Sequence, residues 1–122
     1  MTPTPKSKRF EDVELWKKAH AWVLSIYRFT ECFPRHEMYG LTSQLRRAAV
    51  SVPANFAEGF KKASRADKIR FYNIAQGSLE EGRYYLMLAR DLRYGDPGAL
   101  LATADELSRM LDAYIRAIVI AR

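Results

Sequence analysis

Four stretches of this chain repeat apolar residues every three or four positions, and none alternates them every second. That is the α-helical period, so four amphipathic helices and no sheet are expected. The first is expected over about Asp12 to Cys32. Its seam is Trp16, Ala19, Val23, Ile26 and Thr30, with Leu15, Trp22 and Phe29 lying beside it. That arc is wider than one buried face needs. Glu11, Asp12 and Glu14 suit a helix start, and Pro34 ends the element. The second helix runs from about Gly40 to Gly59 or Phe60, with Gly59 expected as its C-cap. Pro53 inside it removes one hydrogen-bond donor and should kink it.

The third helix opens at Ser64, with Asp67 three residues on in a capping-box-like pattern, and runs to about Arg93. Tyr72, Ala75, Leu79, Gly82, Leu86 and Ala89 mark its seam. Gly77 and Gly82 each cost roughly 1 kcal/mol against Ala in a helix interior, which points to close helix approach. The fourth helix follows Gly95, with Asp96 as N-cap and Pro97 in the first helical position. It carries Leu100, Leu101, Ala104, Leu107, Leu111, Tyr114 and Ile118 and frays near Arg122. Short connections make neighbouring helices antiparallel. The fold class is therefore all-α, an antiparallel up-down four-helix bundle over residues 11–122. Residues 1–10, with Pro3, Pro5, Lys6, Lys8 and Arg9, read as a flexible basic tail.

A chain of 122 residues with 48% hydrophobic side chains suits one core. No apolar run approaches the roughly 18 to 20 residues that span a bilayer, so no membrane role is expected. Met1 to Arg9 lacks the apolar stretch of a signal peptide, and one cysteine, Cys32, permits no internal disulfide. A cytoplasmic protein is the expectation. The net charge of +6 permits contact with a polyanion without requiring it.

The second helix carries most of the information. At about 100° per residue, Gln44, Arg47, Ser51, Asn55 and Glu58 fall within roughly 80° of arc, a continuous polar stripe. Leu41, Leu45, Ala48, Ala49, Val52 and Phe56 form a separate apolar stripe. The remaining arc holds Arg46, Val50, Pro53, Ala54 and Ala57, and no charge falls between Ala48 and Ala57. A solvent-facing helix surface normally carries charge. Val50, Pro53, Ala54 and Ala57 are thus the candidate face toward a second copy of the chain, unless loops or the tail cover it. The wide first helix and the nearly uncharged Ala113–Ala121 segment point the same way.

The polar stripe has two readings: a ligand or catalytic groove, or a structural hydrogen-bonded network with Arg47 paired to an acid such as Glu81. The structural reading is preferred, because buried charges are normally paired. A second cluster, Lys61, Lys62, Arg65, Lys68 and Arg70, lies at the turn between helices two and three, with Asp67 its single acid. It is the candidate nucleic-acid-binding site, through phosphates; the alternative is a solvated turn.

Catalytic and metal patterns are absent from the sequence. The histidines are His20 and His36 alone, and there is no Glu-x-x-His, Cys-x-x-Cys, His-Glu-x-x-His or glycine-rich phosphate loop. Pro34 separates Cys32 from His36, and Glu80 and Glu81 point about 100° apart on a helix. No catalytic residue, metal ligand or cofactor is expected, and the chain reads as a binding or assembly protein.

Residues Tyr39 to Gly59, YGLTSQLRRAAVSVPANFAEG, resemble the signature of bacterial four-helix-bundle proteins first noticed as reading frames inside intervening sequences of 23S rRNA genes. Leu15-Trp16-Lys17-Lys18-Ala19, Phe33-Pro34 and Ile74-Ala75-Gln76-Gly77-Ser78-Leu79-Glu80-Glu81 match as well, so the resemblance covers about residues 10–94. It implies a ring-shaped homopentamer and little about chemistry. A related branch, the accessory proteins of diversity-generating retroelements, implies a basic pentameric barrel that binds nucleic acid and a reverse transcriptase. Gly82 departs from the family pattern, which usually has a larger apolar residue there. The expected function is a homo-oligomeric, non-catalytic adaptor for RNA or DNA. The alternative is a protein-binding scaffold with no nucleic-acid role.

Overall fold

The computed structural model of the chain describes residues 8–121. Most of the expected basic tail, residues 1–7, lies outside the described residues, as does Arg122. The four helices are α1 (Glu14–Thr30), α2 (Leu41–Lys61), α3 (Arg65–Asp91) and α4 (Gly98–Ile120). Single 3-10 turns at Phe10–Asp12 and Arg35–Glu37 precede α1 and α2. No strand occurs among the described residues.

Pairing follows the order α1–α2, α2–α3, α3–α4 and α4–α1, with α2–α3 the most extensive. Tyr72, early in α3, stacks on Phe56, late in α2, whereas Tyr94 after α3 bonds Glu37 before α2. Lys18 reaches Glu106 while Trp22 reaches Leu100. Each such pair of crossings means antiparallel neighbours, so the bundle is up-down.

The core follows the sequence period closely on α2 and α3. Leu41, Leu45, Ala48, Ala49, Val52 and Phe56 are buried on α2, as are Tyr72, Ala75, Leu79, Gly82, Leu86 and Ala89 on α3. On α1, Ala19, Val23, Ile26 and Thr30 of the expected seam are buried, and the buried face widens on one side of it. Leu15 and Trp22 are buried, and Trp16 and Phe29 are only partly so. The width of α1 is thus used inside the chain and does not call for a second copy. Trp22 explains the unusual glycine: a Cβ on Gly82 would lie 3.1 Å from Trp22 Cη2. The indole fills the space that a larger residue at position 82 would take, and its Nε1 donates to the Leu100 carbonyl at 3.0 Å.

Helix ends depart from expectation where tertiary contacts decide them. Asp12 belongs to the 3-10 turn and α1 stops at Thr30, whose hydroxyl donates back to the Ile26 carbonyl at 2.9 Å. Gly59 is not a C-cap. It lies inside α2, and a Cβ there would sit 2.8 Å from Tyr72 Cε1, so it serves close approach rather than positive φ. The end of α2 is instead capped from α3, where Lys68 Nζ donates to the Phe60 carbonyl at 2.6 Å. α2 runs unbroken through Pro53. Ser64 caps α3, accepting from Asp67 N at 3.1 Å. At α4 the cap is Pro97, one residue later than expected, with Asp96 Oδ1 accepting from Gly98 N at 2.9 Å.

Candidate functional site

The polar stripe of α2 lies along its junction with α3. Gln44, Arg47, Ser51, Ser78 and Glu81 line a groove of about 270 Å³. At the centre of the stripe, Asn55 Nδ2 donates to both the Ser51 carbonyl and the Ser51 hydroxyl at 2.8 Å. The Ser51 and Ser78 hydroxyls share a hydrogen bond at 2.7 Å, which either can donate. This satisfied chain ties the two helices at one register. The ends of the stripe differ: Gln44, Arg47, Glu58 and Glu81 are exposed.

The expected Arg47–Glu81 pair is not formed. Among the described residues no ion pair engages either, and Glu81 accepts only from the Tyr85 hydroxyl at 3.3 Å. Both side chains sit in water at the groove edge, where an ion pair gains little. Glu58 pairs with Lys62 at 3.7 Å instead. The groove lining holds hydroxyls, an amide and one carboxylate but no histidine, cysteine or lysine to activate a nucleophile. Its geometry suits hydrogen-bonded register. His20 lies elsewhere, stacked on Trp16.

The basic turn separates into two kinds of residue. Lys68 has a structural role, its ammonium turned onto the last carbonyls of α2, and burial lowers its pKa. Lys62 and Arg70 flank the Phe71 ring at 5.0 and 4.7 Å. Arg70 also lies 4.0 Å from Asp67. Lys61 and Arg65 are exposed and, among the described residues, in no ion pair. The N-terminal turn joins this cluster, an association the sequence reading missed. Lys8, Arg9, Phe10, Phe60 and Lys61 share a pocket of about 400 Å³. An even number of antiparallel helices returns the chain to this end, so the signal was available in the topology. Phe10, assigned to the tail, instead opens the first turn and packs edge-on against Trp16 at 5.1 Å.

The uncharged face of α2 is narrower than expected. Pro53 is buried within the chain and Ala57 partly covered, with Phe10, Trp16, His20 and Val23 lining the same apolar pocket. α1 and the N-terminal turn do this covering. Val50, 41% exposed, and Ala54 remain open. Beside them is a wider groove of about 610 Å³ with Tyr27, Met38, Tyr39 and Arg46 on its walls. Arg46 is fixed there, donating to the Thr30 hydroxyl at 2.8 Å and lying over the Tyr27 ring. The end of α4 is also open, with Val119 57% and Ile120 73% exposed. Among the described residues, no cluster of His, Cys, Asp and Glu could hold a metal ion, and no helix is long and apolar enough to cross a membrane.

Fold and groove define the class of this chain: a small all-α four-helix bundle with a hydrogen-bonded polar seam between its second and third helices. The chain belongs to the 23S rRNA-intervening sequence protein family, whose family model matches residues 11–113. Its fold is similar to a crystal structure from Bacteroides thetaiotaomicron, described as a protein with unknown function from the S23 ribosomal protein family. The TM-score is 0.74 at 24% identity, covering 83% of this chain and 97% of that one. No curated protein shows significant similarity.

Proposed function

We propose that the chain is a non-catalytic, homo-oligomeric adaptor that holds nucleic acid at the basic end of its bundle. The observation that carries this reading is the gathering of Lys8, Arg9 and Lys61 around one pocket, with Arg65 exposed nearby in sequence. Exposed cations at one end are what phosphate contacts need, and repetition of that end around an oligomer multiplies them. Val50 and Ala54 on α2 form the open part of the face offered to a second copy. The family resemblance suggests five copies, and its retroelement branch suggests a reverse transcriptase as protein partner.

Filter binding of RNA and DNA at two salt concentrations tests the nucleic-acid role, and mass measurement in solution tests the assembly. Binding that weakens steeply with salt supports the reading; no binding at low salt refutes it. A second reading, a protein-binding scaffold with no nucleic-acid role, is favoured by the groove beside α2. There Tyr39 is 91% exposed and Met38 52%. Co-purification of a stoichiometric protein without nucleic acid supports that reading over the first.

A further inference from the structure

We propose that the basic end takes single-stranded nucleic acid, with one unstacked base in the pocket between Phe10 and Phe60 and flanking phosphates on Lys8, Arg9 and Lys61. This rests on the nucleic-acid reading above and narrows it to one kind of strand. The pocket is about 400 Å³, and its walls interleave cations with aromatic rings. A duplex keeps its bases stacked inside and offers phosphates alone, so recessed phenyl rings gain nothing from it. An unpaired strand offers both phosphates and π-faces, and stacking of a base on an aromatic ring depends little on sequence.

The same alternation recurs across the α2–α3 turn. There Lys62 and Arg70 lie 5.0 and 4.7 Å from the centre of the half-buried Phe71 ring. Two such stations at one end suit a flexible strand passing over it. Glu11 also lines the pocket, its Oε2 3.0 Å from Arg9 Nε. A carboxylate at that edge opposes a small free anion. Toward a nucleotide it repels the phosphate but can accept from a base amino group. The chemistry of the pocket thus favours a ligand with separate anionic and donor ends over phosphate by itself.

Fluorescence anisotropy with the full chain tests this. The probes are a labelled single strand of about 20 nucleotides and the matching duplex, each at about 50 and 200 mM salt. The single strand should bind at least about 5-fold more tightly than the duplex. Phe60→Leu, which keeps apolar volume and removes the ring, should weaken the single strand about 5-fold with little change for the duplex or in salt dependence. Lys61→Glu should weaken both strands and lower the salt slope by about one or more. Phe10→Leu, in the N-terminal turn outside the helices, serves the same purpose if Phe60→Leu loses helical circular dichroism. Equal binding of both strands, or equal weakening of both by the phenylalanine variants, overturns the proposal and leaves the nucleic-acid reading standing. Failure of either strand to bind at the lower salt overturns both.

Discussion

Two glycines in this bundle are set in helices and should respond in opposite ways to the same substitution. Gly→Ala in a helix interior gains about 1 kcal/mol from backbone propensity, whatever the surroundings. Gly77, in α3, has nothing within 4 Å of an added Cβ. Gly77→Ala should therefore realise the full gain, about 1 kcal/mol. At Gly59 the added methyl would lie 2.8 Å from Tyr72 Cε1 and 3.0 Å from Phe71 Cβ. Tyr72 is 1% exposed and wedged between Phe56 and Tyr114, so its ring has nowhere to go. Overpacking of this kind costs about 1–3 kcal/mol, which should exceed the propensity gain. Gly59→Ala should then be net destabilising by about 1 kcal/mol, leaving a gap of about 2 kcal/mol between the variants. Urea titration followed by circular dichroism at matched protein concentration measures this gap, and the thermal midpoints should differ by about 8 °C. Equal stabilisation by both substitutions would refute the claim that Gly59 is there for close approach. Solution mass belongs beside the titration: a loss of assembly in Gly77→Ala would show that the open side of α3 meets a neighbour.

Lys68→Met and Lys61→Glu should separate stability from binding: the first removes the α2 cap for about 1 kcal/mol and leaves nucleic-acid affinity near normal, and the second does the reverse. Urea titration and salt-dependent binding, run on both variants, check the pair. The Glu37 carboxylate accepts from Leu41 N at 3.0 Å and from the Tyr94 hydroxyl at 2.7 Å. The backbone bond first, then Tyr94, holds its pKa below the usual carboxylate range. The stability it contributes is present above the unfolded value of about 4.3 and is lost as pH falls through the lower folded value. Glu37→Gln should thus be less stable than the parent at neutral pH, with the difference closing in acid, as thermal melts across pH will show. Arg93 has φ of 65° just after α3, so Arg93→Gly should gain about 0.5–1 kcal/mol by denaturant titration.

What could be read from the sequence was what burial imposes periodically. The α2 and α3 seams came out residue by residue because each helix repeats its core position every turn, and Ser64 was visible because its cap lies three residues away. Features set by distant residues were not visible. Gly59 looked like a helix terminator because nothing local reveals Tyr72 against it. The α2 cap comes from Lys68, beyond the turn, and Leu41 N is held by Glu37. The polar stripe was legible as a stripe. Its division into a bonded centre at Ser51, Asn55 and Ser78 and open ends at Arg47 and Glu81 depends on where α3 runs. The turn cluster looked like five equivalent cations, yet Lys68 is committed to backbone carbonyls and Lys61 is not.

The even helix count also governs how the molecule can be handled. The first described helical segment begins, and the last finishes, at the end that carries Lys61 and Arg65. A fusion partner at either terminus would sit over the very surface to be assayed. The exposed thiol of Cys32, past the far end of α1, faces the other way. A maleimide dye or surface tether attached there would leave the basic end free in solution, and no other cysteine would compete for the label.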